Sequence, residues 1–80
     1  MDSQHSRTAL REELESVEAE LAELRRSAEE LRRQIGERWF EPTDESERSA
    51  LITAAEEQEA LAESMAARRD DLRALVEGDG

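Results

Sequence analysis

The hydrophobic positions in the first half of the chain recur at alternating intervals of four and three residues. This 3.5-residue repeat is typical of a coiled-coil helix and predicts a helix over residues 8–40. A similar repeat predicts a second helix over residues 44–77. The first stripe contains Leu10, Leu14, Val17, Leu21, Leu24, Ala28, Leu31 and Ile35, and the second contains Leu51, Ala54, Gln58, Leu61, Met65, Arg68, Leu72 and Leu75. Residues 1–7 and 78–80 lack the repeat, so we expect a frayed N-terminus and a C-terminal tail.

The segment between the two predicted helices is very short. Pro42 disfavours helical geometry at Glu41, and either Thr43 or Asp44 can cap the second helix, which leaves residues 41–43 as the linker. So short a linker requires the helices to be antiparallel neighbours. Pairing residues whose numbers add up to about 86 brings the two stripes face to face. The predicted fold is all-α, a two-helix antiparallel coiled-coil hairpin in one domain.

The charge pattern supports this pairing of helices. Residues 12–23 carry six acids and no base, whereas residues 25–38 carry five arginines and three acids. In the second half acids dominate residues 44–59, and Arg68, Arg69 and Arg73 follow. Folding the chain back on itself therefore places each acidic half-helix beside an arginine-bearing one.

Small apolar residues broaden one face of the second helix. A lone two-helix hairpin buries little surface, and small chains often gain stability from a partner. We therefore predict a homodimer, a four-helix assembly in which a second hairpin packs on this face. The alternative is that the alanines simply fill a helix surface. The predicted dimer face consists of Ile52, Ala55, Ala62, Ala66 and Val76.

Composition restricts the function classes. The net charge of −11 and the pI of about 4.5 disfavour direct binding to nucleic acids or to anionic membranes. The chain has no cysteine, which excludes disulfides and thiol chemistry. No apolar run approaches the roughly 18 residues that span a membrane, and no signal-peptide core is visible. We expect a cytoplasmic protein.

The sequence offers little support for catalysis. His5 is the only histidine and falls in the predicted frayed start, so the serines have no structured base to activate them. The chain has neither a glycine-rich phosphate loop nor a zinc-ligand spacing. We therefore expect a non-enzymatic protein without a cofactor of its own.

The predicted bend concentrates the aromatic residues. Trp39 and Phe40 are the only aromatics in the chain. They either close the end of the stripe against Leu51 and Ile52 or serve as an anchor for a protein partner.

Acids surround the bend: Glu41, Asp44, Glu45 and Glu47. One interpretation is capping of the second helix. The other is a partner-binding cluster in which Asp44 and Glu47 help to hold a magnesium ion, provided that a partner supplies further ligands. The predicted partner-binding set is therefore Trp39, Phe40, Glu41, Asp44, Glu45 and Glu47.

The segment from Thr43 to Gln58, T-D-E-S-E-R-S-A-L-I-T-A-A-E-E-Q, resembles the N-terminal coiled coil of the Gre transcript-cleavage factors. That family reads approximately G-D-L-S-E-N-A-E-Y-x-A-A-K-E-E-Q at its tip and second helix. The family's two functional tip acids fall on Asp44 and Glu47. The resemblance implies that the tip enters the secondary channel of RNA polymerase and that these acids share a catalytic magnesium ion. The matching residues are Asp44, Ser46, Glu47, Ala54, Glu56, Glu57 and Gln58.

The segment departs from the family at Glu45, Arg48 and Leu51, where the family has leucine, asparagine and tyrosine. A basic residue beside the two acids weakens cation binding, so an occluding or regulatory role fits better than transcript cleavage. The family's globular C-terminal domain has no counterpart in these 80 residues.

A second pattern resembles anti-sigma hairpins that bind cyclic di-GMP, which carry Glu-x3-Ser-x2-Arg-x3-Gln-x3-Asp. Glu23, Ser27 and Gln34 fit, but Glu30 and Arg38 occupy the arginine and aspartate places. This pattern implies a cyclic-dinucleotide-sensing regulator.

Our leading interpretation is a protein-binding hairpin, with RNA polymerase as the best candidate partner. The alternatives are a purely structural coiled-coil dimer or assembly subunit and, third, the cyclic-dinucleotide sensor. Exposed aromatics at the bend would favour the binding protein, and buried aromatics would favour the structural dimer.

Overall fold

The fold is a long antiparallel hairpin of two α-helices, as predicted. A computed structural model describes residues 3–42 and 44–78. Helix α1 spans Ser3–Glu37 and helix α2 spans Glu45–Glu77, and the two pack against each other along their length. The molecule measures 63 × 17 × 13 Å. Its shape is therefore a narrow rod with one closed end, where the chain turns.

The bounds of α1 differ from the predicted 8–40. The helix begins at Ser3, so residues 3–7 are helical rather than frayed, and this stretch contains neither glycine nor proline. It ends at Glu37 because the chain then winds more tightly. The Trp39 N–H donates to the Gly36 carbonyl at 3.3 Å, and the Glu41 N–H donates to the Arg38 carbonyl at 3.1 Å. These three-residue turns make the connection 38–44 rather than 41–43.

Helix α2 begins where the sequence predicted. Asp44 is its N-cap, with φ −61° and ψ 136°, and its side chain accepts a hydrogen bond from the Ser46 N–H at 3.3 Å. The helix ends at Glu77, and the Gly78 N–H donates to the Ala74 carbonyl at 2.7 Å. Thr43, the other candidate cap, lies outside the described residues.

Three ion pairs between the helices fix their register. Arg32 and Glu59 form a bidentate pair at 2.8 and 2.9 Å, and Arg73 approaches Glu18 at 2.9 Å. The residue numbers in both pairs add up to 91. On the opposite side of the seam Arg68 pairs with Glu13, and these numbers add up to 81. The midpoint is 86, the predicted register, and each pair joins an acidic half-helix to an arginine-bearing one.

The predicted stripe of α1 is confirmed. Its members are either buried or half-buried in the seam, and Leu21 is only 2% exposed. Almost all the large apolar residues of α1 lie on one face of the helix. The inner face therefore follows directly from the repeat. The fully buried members are Val17, Leu21, Ala28 and Ile35.

The predicted stripe of α2 is right at Leu51, Gln58, Met65 and Leu72 and wrong by one residue at its other four positions. Leu61 and Leu75 are 55% and 56% exposed, and Arg68 is also exposed. Buried alanines take their place, because small residues let α2 approach the leucines of α1 closely, and because Arg68 reaches Glu13 only from the edge of the seam. The observed seam of α2 contains Leu51, Ala55, Gln58, Ala62, Met65, Arg69, Leu72 and Val76.

This rotation of α2 also corrects the predicted dimer face. Ala55 is 0% exposed and Ala62 is 8% exposed, because both are packed within the hairpin. Ile52, Ala66 and Val76 are half-buried. The five residues therefore do not form a free surface for a second copy.

One polar group in the seam lacks a partner. The amide oxygen of Gln58 is buried without a hydrogen bond in the part of the chain that the structure describes. An unsatisfied buried acceptor costs about 1–3 kcal/mol. We therefore expect Gln58→Leu to raise the free energy of unfolding by about 1–2 kcal/mol, measured by urea denaturation. A loss of stability in this variant would show that the amide is satisfied in solution.

Candidate functional site

The closed end of the rod carries the exposed aromatic residues. We call residues 38–48 the tip. Within it, Phe40 is 95% exposed and Trp39 is 51% exposed. The tip therefore presents a large apolar surface to solvent at the closed end of the rod.

This exposure argues against the closing role of the aromatics, and the partner anchor stays a prediction. Had they closed the stripe against Leu51 and Ile52, both rings would be covered. Because α1 ends at Glu37, the aromatics fall in the turn beyond the seam rather than over it. The arrangement in the structure is the one expected of a partner anchor, and the closing role is wrong for Phe40.

Arg48 ties the tip together. Its guanidinium lies over the Trp39 ring, 5.3 Å from the ring centroid. The same group donates to the Trp39 carbonyl at 3.2 Å and to the Glu41 carbonyl at 3.3 Å. A cation–π contact of this kind contributes about 0.5–1 kcal/mol at exposed sites. Arg48 thus holds one aromatic in place and closes the turn.

This role of Arg48 could not be predicted from the sequence. Arg48 was notable only as a departure from the Gre pattern, and its contact with Trp39 depends on how the turn folds. The available signal was the excess of acidic over basic residues around the bend, where Arg38 and Arg48 are the only bases among residues 38–48.

The four predicted acids all lie exposed at the tip, but they serve different local roles. Asp44 caps α2, while Glu45 and Glu47 lie in the first turn, where the helix dipole favours negative charge. Glu47 also lines a shallow depression with Arg38 and Arg48. Its surroundings are therefore partly basic, as the departure at Arg48 suggested.

The predicted magnesium ligands do not form a complete site on this chain. Among the described residues there is no group of three or more histidines, cysteines or acids that could hold a metal ion. Asp44 and Glu47 would need ligands from a partner, as the sequence argument already required. That shared site remains a prediction.

The residues of the cyclic-dinucleotide pattern lie along α1. Glu30, which stands in the place of the arginine, accepts hydrogen bonds from Arg33 at 3.1 Å and from Gln34 at 3.3 Å. These bonds, with that of Arg33 first, hold the pKa of Glu30 below its ordinary value. The group is therefore an anion at neutral pH and would repel a ligand phosphate.

The side of the rod that carries the Arg32–Glu59 and Arg73–Glu18 pairs we call the charged flank. Above Ala28 and Ala62 it forms an open groove whose rim includes Arg25 and Glu63. Hydrogen bonds from Arg32 lower the pKa of Glu59, so both members of that pair stay charged. Because the rim carries both arginines and acids, the groove does not select one sign of ligand charge.

Comparison of the chain with protein-family models, with known proteins and with solved structures finds no match. The resemblance to the Gre coiled coil therefore remains a prediction from residues 43–58. Within the described residues, neither helix has a stretch long and apolar enough to cross a bilayer.

Proposed function

We propose that this chain is a non-enzymatic cytoplasmic hairpin that binds another protein through its tip. One observation carries the proposal: Phe40 is 95% exposed beside the half-exposed Trp39, at the end of a 63 Å rod. Large aromatics are the residues most often found at the energetic centres of protein interfaces.

The energetic argument follows from the size of the rings. Fully burying a phenylalanine side chain contributes about 1.5–3 kcal/mol relative to leaving it exposed. In the free chain the exposed Phe40 ring does not gain this burial free energy, and the half-exposed Trp39 ring gains only part of it. A partner with an apolar pocket at the contact recovers both, and Arg48 reduces the ordering cost by holding Trp39 in place beforehand.

The charge of the tip restricts the partner. Glu41, Asp44, Glu45 and Glu47 surround the aromatics, and the whole chain carries a net charge of −11. Such a field attracts basic surfaces and accelerates their association. The partner surface that fits the tip is thus an apolar pocket with a basic rim.

The candidate partner is RNA polymerase. This choice comes from the Gre-like segment at residues 43–58. Because the guanidinium of Arg48 lies among the tip acids, we propose occlusion or regulation of the channel rather than transcript cleavage. A magnesium ion shared through Asp44 and Glu47 would require the polymerase to supply the remaining ligands.

The test measures binding of the hairpin to purified bacterial RNA polymerase, with two tip variants. Trp39→Ala/Phe40→Ala removes the apolar anchor. Asp44→Asn/Glu47→Gln removes the charges and keeps a side chain that caps α2. Because hot-spot residues contribute about 2 kcal/mol or more each, we expect the aromatic variant to weaken binding by about 100-fold or more.

Glu56→Gln/Glu57→Gln removes two exposed acids away from the tip and serves as the matched control. It should retain wild-type affinity, and all variants should keep the helical circular dichroism spectrum. Competition by a Gre factor is expected for a shared channel. If wild-type protein at about tens of micromolar does not bind, polymerase is not the partner. Full affinity in the aromatic variant would exclude the tip as the binding end.

A further inference from the structure

The side of the rod opposite the charged flank exposes a row of apolar residues, which we call the apolar flank. Leu61 and Leu75 are its most exposed members, at 55% and 56%. The register places Leu24 at the level of Leu61 and Leu10 at the level of Leu75. The apolar flank consists of Ala54, Leu61 and Leu75 together with the solvent-facing edges of the half-buried seam residues Leu10, Leu24, Leu31, Leu51 and Met65.

The middle of this surface is uncharged. Ser27 and Gln34 border it on α1, and Ala54 and Leu61 border it on α2, whereas Arg32 and Glu59 bridge the helices at the same level on the charged flank. In a chain of which 41% of residues are charged, the uncharged stretch of this surface from Leu24 to Gln34 stands out, and Glu20 and Arg68 bound it toward the open end of the rod. Contiguous apolar patches of this kind commonly mark interaction sites.

We propose that the apolar flank binds a second copy of this chain, with the two rods parallel and both tips at the same end. The two-fold axis then runs along the rod, so α1 of each copy faces α2 of the other at the same level. Leu24 meets Leu61 of the second copy, and Leu10 meets Leu75. All neighbouring helices in the resulting four-helix bundle are antiparallel, which suits their dipoles.

Charge complementarity supports the same arrangement. Glu13 and Arg68 already pair within one hairpin on this flank. In the parallel dimer Glu13 also faces Arg68 of the second copy, which gives a closed ring of two acids and two arginines. The reverse arrangement, with the axis across the rod, places Leu10 opposite Glu37 and Leu75 opposite Ala50, so neither leucine meets another leucine.

The available area fits a small dimer. The stretch from Leu51 to Leu75 is about 36 Å long at 1.5 Å per residue. Multiplied by the 17 Å width of the rod, this length gives a flat projected area of about 600 Å². The accessible surface of the protruding side chains adds to this area. Stable interfaces bury about 800 Å² per partner. The hairpin alone also has a thin core, because three of the seven buried hydrophobic residues in the described part of the chain are alanines.

Sedimentation equilibrium on two charge-matched variants tests the proposal. Leu61→Glu introduces an acid on the apolar flank, and Ala66→Glu introduces one on the charged flank, within the groove that Arg25 lines. We expect the wild type to sediment at twice the 9.1 kDa chain mass. Leu61→Glu should raise the dimer dissociation constant by about 100-fold or more, and Ala66→Glu should change it by less than about threefold.

Circular dichroism at equal concentration must show that both variants remain helical, and Leu61→Gln replaces Leu61→Glu if that variant unfolds. A wild-type monomer at about 200 μM would overturn the proposal. Dissociation by Ala66→Glu but not by Leu61→Glu would place the interface on the other flank and would equally overturn it. The tip variants should remain dimeric, so this result is independent of the proposed partner.

Spin labels determine the orientation of the two copies. The chain has no cysteine, so Glu45→Cys provides a single labelling site within the tip. Parallel rods place the two labels within about 30 Å of each other, whereas the reverse arrangement separates them by about 50 Å, from the helical rise of 1.5 Å per residue. A distance near the longer value would contradict the parallel dimer.

Discussion

Leu21→Asp is expected to unfold the hairpin. Leu21 lies near the middle of the seam and is 2% exposed. The substitution removes a packed leucine and places an unpaired carboxylate in a narrow apolar core, at a cost of about 3 kcal/mol or more. A domain of this size has a total stability of about 4–12 kcal/mol, so the loss takes a large share of it. Urea or thermal denaturation, monitored by circular dichroism, measures the effect.

Ala22→Asp is the matched control for this experiment. It introduces the same side chain one position later, where the residue is exposed. We expect a change below about 1 kcal/mol, close to the difference in helix propensity between alanine and aspartate. Equal losses from the two variants would mean that the inner face of α1 is assigned incorrectly.

Ala62→Asp should be almost as damaging, although only a methyl group is replaced. Ala62 is 8% exposed, so a carboxylate at this position loses most of its hydration. Burying the charge costs about 3 kcal/mol or more and forces the helices apart. On the outer face that the sequence alone suggested, the same substitution would cost little. Denaturant unfolding of this variant therefore tests the rotation of α2.

Ala60→Asp provides the comparison. Like Ala62→Asp it replaces an alanine by an aspartate, but Ala60 is exposed. The expected loss is about 0.7 kcal/mol from helix propensity. A mild effect at Ala62, equal to that at Ala60, would contradict the observed seam.

The inner face of α1 and the register could be predicted because few alternatives existed. The leucines of α1 occupy one phase, and residues such as Asp44 and Pro42 mark where the second helix can begin. Opposite charges then favour only one alignment of the two helices. The three ion pairs described above between α1 and α2 follow that alignment.

The phase of α2 could not be read in the same way. Leu61 and Ala62 belong to two adjacent stripes that both repeat every 3.5 residues. A count of leucines favours the first stripe, whereas close packing against the leucines of α1 favours the second. Arg68 also favours the second stripe, because its ion pair with Glu13 requires Arg68 to lie at the edge of the seam. Both effects depend on the partner helix rather than on α2 itself.

The tip was located correctly, but its geometry depends on local hydrogen bonds. The exposure of Phe40 follows from the early end of α1 and from the tight turns at Trp39 and Glu41. The position of Arg48 over Trp39 brings together residues on opposite sides of the turn. No repeat or spacing in the sequence encodes these contacts.

The central claim is that one chain folds back on itself and so presents the tip at one end of a rod. Paired spin labels at Glu29→Cys and Glu63→Cys, both exposed on the charged flank, test it most directly. Labelled chains are diluted into excess unlabelled protein, so that only distances within a chain are measured. The hairpin predicts a separation below about 20 Å, whereas one continuous helix would separate the labels by about 50 Å at 1.5 Å per residue. The longer distance would contradict the fold and, with it, the exposed tip.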